Sequence, residues 1–225
     1  MIEPAAALTL ADIRDIERVQ VYITHADEVM KNYGYTEHGF RHAGLVAKMS
    51  GTVLESLGFP AEKVELARIA GYLHDIGNVV CREGHEQIGA LLAERILTEA
   101  NMPLHDVAVV LNAIGNHEEG TGWTASDIGA AVIIADKADV HESRVRDIEH
   151  RAFDIHDRVN FASKNSTLRV DGAERLITLA IEIDTATSEV MEYFEIFLSR
   201  MEMCQQAAKF LKARFSLVIN DVKLL

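Results

Sequence analysis

Six residues between positions 42 and 136 fall at the ends, or on the apolar faces, of segments that read as helices: His42, the adjacent pair His74-Asp75, His85, His117 and Asp136. A buried ionised group without a partner costs several kcal/mol, so inward-facing imidazoles and carboxylates need something in common to bind. Nitrogen and carboxylate oxygen donors converging from separate helices suit a divalent metal centre. That requirement dominates what the chain can become.

Helical spacing separates these positions from the rest of the ten histidines. His42 continues the face of Val46, Met49 and Val53, and His117 lies three residues beyond Ile114 on the row of Val110. His85 precedes Ile88 and Leu92 on an inner face, while Asp136 shares the row of Val132 and Ile133 in an apolar segment. Of three His-Asp dipeptides, only His74-Asp75 follows an apolar helical run, Ala67 to Leu73, and precedes Ile-Gly. His105-Asp106 opens a helix after Pro103, where an acid suits the positive end of the dipole. His156-Asp157 sits among charges before a segment read as a strand. Both of these read as structural or surface pairs.

Periodicity predicts a helix from Leu8 to Tyr33, another from about Glu37 to Leu57, and a third over Ala61 to Ile76. Three more follow, from about Glu86 to Glu99, Leu104 to Asn116, and Ser126-Asp127 to Asp139, with Ser126-Asp127 as N-cap. The pattern then changes to alternating, β-branched stretches over Arg158 to Val170 and Arg175 to Asp184, separated by Asp171-Gly172. A long amphipathic helix, Ser188 to Lys212, and a strand, Phe215 to Asn220, complete a ββαβ unit. The expected fold is therefore mainly α, with an N-terminal helix (1–34), a helical metal-binding domain (35–150) and a C-terminal α+β unit (151–225), divided at the charged stretch His141 to His150. The Met-rich helix, with Met191, Met201 and Met203, is expected to cover the helical body or to form a homodimer interface.

Charge and composition narrow the partners. A net charge of −13 disfavours coating long nucleic acid but leaves room for a small phosphorylated substrate whose charge is met by metal ions. The two cysteines, Cys81 and Cys204, support neither a disulfide framework nor a cysteine zinc site. With no apolar stretch long enough to span a bilayer and no basic leader region in Met1 to Leu10, the cytoplasm is the expected compartment.

The donor set suits Mn²⁺, Fe²⁺, Zn²⁺ or Co²⁺, and six ligands exceed what one ion with open positions accepts. Asp75, flanked by imidazoles, is the expected bridge between two ions about 3.5–4 Å apart. A hydroxide between them could attack phosphorus in line. Lys137, Arg41 and Arg144 are candidate phosphate contacts, with Arg146 as readily a surface charge. Glu118 is placed to orient His117 or a metal-bound water. His38 is a candidate partner of a ligand, His141 a candidate general acid, and Trp123 a candidate wall of the entrance.

The set His42, His74-Asp75 and Asp136 resembles the H…HD…D signature of the HD-domain metal-dependent phosphohydrolase superfamily, most specifically in the segment YLHDIGN. The resemblance spans roughly 36–140 and implies that His42, His74, Asp75 and Asp136 hold one ion. His85 and His117 resemble the binuclear branch, which implies a second ion on Asp75, His85 and His117. The whole chain is similar to a family of uncharacterised HD-superfamily hydrolases through YTEHGFRH, AGYLHDIGNVV, AIGNHEE, IIADKADVHESRVR, FDIHDRVNF and YFEIFLSRMEMC. HDIG followed by His85, Ile88 and Gly89 resembles, more distantly, the ribonuclease Y HD domain. Asn78 replaces a lysine found in many relatives, and the single His117 followed by Glu118-Glu119 departs from the paired histidines of cyclic-di-GMP phosphodiesterases. The resemblance implies a phosphomonoesterase or phosphodiesterase acting on a nucleotide-like substrate. An endoribonuclease, a di-iron oxygenase and a nucleotide-binding regulatory module are the alternatives.

Overall fold

The computed structural model describes residues 8–120, 122–146 and 155–225. Positions 147–150 of the expected domain boundary, residues 1–7 and Thr121 lie outside the described residues. Seven helices build the body: α1 (Leu10–Arg14), α2 (Glu17–Asn32), α3 (Phe40–Ser56), α4 (Ala61–Leu73), α5 (His85–Glu99), α6 (Leu104–Gly115) and α7 (Asp127–Lys137). After α8 (Ile155–Ala162) come strands β1 (Ser163–Asp171) and β2 (Leu176–Ile183), helix α9 (Val190–Phe210), and strands β3 (Arg214–Ile219) and β4 (Val222–Lys223).

Helix α7 is the hub. The Ser126 hydroxyl accepts the Gly129 N–H at 3.1 Å and starts it. Every residue from Ile128 to Ala135 is buried, which is why the sequence there is apolar all round instead of striped. Helices α3, α4, α6 and α9 surround it. The chain leaves α4 at Leu73 and turns through a short 3-10 segment, Ile76–Val79, earlier than the expected end at Ile76. Gly77 permits this turn, because a Cβ there would lie 1.9 Å from the His85 carbonyl oxygen and 2.5 Å from the Gly89 nitrogen.

The sheet has the order β1-β2-β3-β4. β1 and β2 form the expected antiparallel hairpin, with Asp171 opposite Leu176 and the Asp171 carboxylate accepting the Glu174 N–H at 2.9 Å. β2 and β3 run parallel, so α9 is the crossover between them. One face of the sheet, with Leu179, Ile181 and Leu217, is buried in the same core as Phe197, Met201 and Cys204 of α9. Because α9 also packs on α7, the C-terminal unit shares the core of the helical body.

Three expectations are corrected. The N-terminal helix is broken at Asp15-Ile16, where Ile16 is extended. The strand expected from Arg158 starts only at Ser163, since Arg158 to Ala162 closes α8; Val159 and Ala162 are buried one helical turn apart, and Asn160 donates to the His156 carbonyl at 2.8 Å. The expected ββαβ unit carries a fourth strand, because Asn220 and Asp221 both take positive φ, 48° and 63°, and turn the chain back in a tight hairpin. No helix among the described residues is long and apolar enough to cross a membrane.

Candidate metal centre

Five helix ends meet at the six polar residues. His42 lies in the first turn of α3, His74-Asp75 just past α4, His85 at the start of α5, His117 just past α6, and Asp136 near the end of α7. His42, His74, His85 and His117 are each no more than 1% exposed. The Nε2 atoms of His42 and His74 are 3.2 Å apart, as are those of His85 and His117. Asp75 stands between the two pairs. Its Oδ2 lies 3.3 Å from His74 and 3.5 Å from His42, and its Oδ1 lies 3.2 Å from His85 and 3.8 Å from His117. Asp136 closes the first side, with Oδ1 at 3.3 Å from His42 and 3.6 Å from His74.

The other ring nitrogen of each histidine fixes its protonation. Nδ1 of His42 faces Asp139 Oδ2 at 2.6 Å, and Nδ1 of His74 faces the Gly71 carbonyl at 2.9 Å. Nδ1 of His85 faces the Arg82 carbonyl at 3.0 Å, and Nδ1 of His117 faces the Ile114 carbonyl at 2.7 Å. Each Nδ1 therefore carries a proton towards an oxygen, and each Nε2 points a lone pair inward. Four converging lone pairs and two carboxylates repel one another until a cation lies among them. The donor set therefore fits divalent metal. Among the described residues, three triplets bring one ligand atom each within 4.8 Å: His42, His74 and Asp136; His74, Asp75 and His117; and His85, His117 and Glu118.

The electrostatics agree. Burial works against charge on His74 and His42, yet the neighbouring carboxylates overcome it and raise these imidazoles to about 10 and about 9. Burial would raise Asp75 and Asp136, but His74 beside the first and Lys137 beside the second hold both carboxyls well below the usual range. With no cation there, a proton takes the Nε2 lone pair of these two rings, and a dication binding among the same carboxylates displaces it.

The basic residues expected to bind phosphate reach the centre in company. Lys137 is 2% exposed, with Nζ 2.7 Å from Asp136 and 3.1 Å from Glu119. Arg41 grips Asp139 through both terminal nitrogens, at 3.2 and 2.8 Å, and Glu37 through Nε. Arg144 donates to the Asp139 and Glu37 carbonyls and to His38. Arg146 pairs with Asp27. Glu118 pairs with Arg82 at 2.8 Å and lies 3.8 Å from His85 Nε2. His141 instead caps the turn 142–144, accepting the Ser143 N–H, and Trp123 is 75% exposed. Cys81 donates to the Glu83 carbonyl.

Sequence reasoning missed several participants. Asp139 lies one turn beyond Asp136, a spacing that could have been noticed. Asn78, buried in the turn after Asp75, donates to the Asp75 carboxylate at 3.0 Å. A cavity of about 550 Å³ beside the centre is lined by Tyr35, His38, Arg82, Glu118, Arg144 and Arg200, together with the His156-Asp157 pair that had read as structural or surface.

Residues 39–157 match the sequence profile of the HD domain. The chain belongs to the HD-domain family and thereby to a superfamily of metal-dependent hydrolases. It is 38% identical to ribonuclease Y of Oceanobacillus iheyensis over 103 residues and 36% identical to ribonuclease Y of Streptococcus sanguinis over 104. These matches cover 43% and 45% of the chain but only 18% and 17% of the two ribonucleases. An uncharacterized protein of Methanocaldococcus jannaschii is 29% identical over 170 residues, which is 66% of the chain and 65% of that protein.

Proposed function

We propose that the chain is a phosphohydrolase with a binuclear metal centre, acting on a small phosphomonoester or phosphodiester of nucleotide type. The observation that carries this reading is Asp75, which directs one carboxylate oxygen to each pair of inward-facing imidazoles. His42, His74, Asp75 and Asp136 would hold one ion, and Asp75, His85 and His117 the second, in manganese, iron or another first-row form. Two such ions supply Lewis acidity at phosphorus and a water acidic enough to react at neutral pH.

The chain's own groups do the rest. Lys137 holds Asp136 in place through a 2.7 Å ion pair. Asp139 fixes the His42 tautomer. Glu118, beside His85 and facing the cavity, is placed to accept the proton of the attacking water. Arg41 and Arg144, engaged with Asp139 and Glu37, add positive charge to the wall that a phosphoryl group approaches.

An endoribonuclease is the second reading, favoured by the similarity to ribonucleases Y. The net charge of −13 favours the small substrate. The test is metal content per chain after purification without chelator, then hydrolysis of bis-p-nitrophenyl phosphate, a nucleotide panel and an RNA oligomer with Mn²⁺. About two metals per chain with ester turnover are expected, and Asp75→Ala should lose both. Metal without turnover on any ester overturns the hydrolase; RNA cleavage alone selects the second reading.

A further inference from the structure

Two arginines from distant parts of the chain arrive at one wall of the cavity beside the metal centre. Arg82 follows the 3-10 turn after Asp75, and Arg200 lies midway along α9, the crossover helix of the C-terminal unit. Both line the same cavity of about 550 Å³, within the range of about 300–1,000 Å³ typical of small-ligand sites. Arg82 reaches the centre itself, with Nη1 3.0 Å from His85 Nε2, and its guanidinium stands over the Tyr35 ring at 5.8 Å. Arg200 stacks on Phe197 at 4.5 Å.

Adjacent acids hold the pair. Arg82 is anchored by Glu118 at 2.8 Å and Arg200 by Glu119 at 2.7 Å. Glu118 and Glu119 are consecutive in the chain, so one short segment anchors both arginines of this cavity. Arg82 meets Glu118 through Nη2 and His85 through Nη1, Arg200 meets Glu119 through Nε, and the two side chains are 24% and 25% exposed. The third arginine of the cavity, Arg144, is 4% exposed and engaged with the carbonyls of Glu37 and Asp139. The more exposed guanidiniums lining the cavity are therefore those of Arg82 and Arg200. Planar guanidiniums of this kind take the oxygens of a phosphate in pairs.

We propose that Arg82 and Arg200 form a clamp for a second phosphate of the substrate, one that is not cleaved, so that this chain selects phosphoesters carrying at least two phosphate groups. The clamp rests on the hydrolase reading above only in calling the bound anion a substrate. Its position explains why the C-terminal unit packs against the metal-binding body: α9 delivers half of the recognition. One arginine adjoins the reacting centre and the other lies farther along the wall, which orders the substrate with its cleaved ester at the metals and its second phosphate towards α9.

The experiment is calorimetric titration of the full chain, as purified, with orthophosphate and with methylenebisphosphonate, whose P–C–P link resists hydrolysis. The readout is the ratio of the two dissociation constants and its change on removing each arginine, because a bisphosphonate also gains affinity by chelating the metals. Wild type and Arg169→Gln, an exposed control on β1, should favour the bisphosphonate about tenfold or more, and Arg82→Gln and Arg200→Gln should bring the ratio towards one. If a glutamine variant loses cooperative unfolding, Arg200→Lys replaces it, keeping the charge while losing the fork, and should give an intermediate ratio. A wild-type ratio near one, or an unchanged ratio in the folded Arg200 variants, overturns the clamp. Arginine-dependent preference without ester turnover would retain the clamp and remove the hydrolase; turnover with an arginine-independent ratio would do the reverse.

Discussion

Asp139 places Oδ2 2.6 Å from His42 Nδ1 while the same carboxylate receives both terminal nitrogens of Arg41. The pair decides which nitrogen of His42 is free to face the centre. Burial would raise the Asp139 carboxyl, but Arg144 and His42 hold it far below the usual range, so it stays an acceptor. In Asp139→Asn one oxygen becomes a donor, which conflicts with either the imidazole or the guanidinium. Metal affinity should fall about 10–100-fold, as for other carboxylates that orient ligating histidines. A competitive metal titration against a chromophoric chelator reads this directly, and wild-type affinity in the variant would show that Asp139 merely fills space.

Gly77 lets the turn after Asp75 pass against the start of α5. A Cβ on residue 77 would meet backbone at 1.9 and 2.5 Å, and backbone cannot rotate away as a side chain can. Gly77→Ala must therefore push α5, and with it His85, off its position. A stability loss of about 3 kcal/mol is expected from overpacking of this severity, seen as a lower urea midpoint. Metal content should drop by the ion nearest His85 before the fold is lost. An unchanged midpoint would mean that the close approach is absent in solution.

Lys137 is a buried cation enclosed by Asp136 and Glu119, and Glu119 is held in turn by Arg200. Burial lowers the Lys137 ammonium pKa, but Asp136 and Glu119 outweigh it and the net direction is upward. Lys137→Met keeps much of the apolar volume and removes the buried ammonium that faces both half-buried carboxylates. Breaking one side of a buried pair costs about 3–5 kcal/mol, so denaturant unfolding should register a loss of that order in metal-depleted protein. A loss under about 0.5 kcal/mol, the range of ordinary surface substitutions, would place Lys137 outside the framework that holds Asp136.

The residues that converge were legible because helical spacing put His42, His85, His117 and Asp136 on inward rows, and the apolar run before His74-Asp75 with Ile-Gly after it singled out that pair. The apolar run of α7 was equally visible, since a helix enclosed by four others has no polar side to interrupt it. Arg200 was not legible: it reaches the cavity that Arg82 also lines because β2 pairs parallel with β3, and nothing local to the sequence shows that α9 crosses over α7. Arg41 and Arg144 read as free phosphate contacts because Asp139 and the Glu37 carbonyl, which engage them, lie 98 and 107 residues away. Arg158 to Ala162 misled for a different reason. Its alternation is that of a strand, but Val159 and Ala162 are buried three residues apart on one face, the spacing of a helix.

Glu192 joins α8 to α9. Arg158 donates to its carboxylate, Ser188 Oγ donates at 2.7 Å, and the Glu189 N–H donates at 3.2 Å as part of a capping box. These donors, Arg158 first, lower its carboxyl from 4.5 to about 2. The folded-state value lies below the unfolded one, so the stabilisation is present above pH 4.5 and is lost as pH falls towards about 2. The pair is solvent-exposed, so salt should weaken the effect. Glu192→Gln removes the titration while keeping the size. Its thermal midpoint should lie below that of the wild type at neutral pH, and the gap should close across the window from pH 4.5 to about pH 2. Parallel curves through that window would assign the acid sensitivity of the α8–α9 junction to another carboxylate.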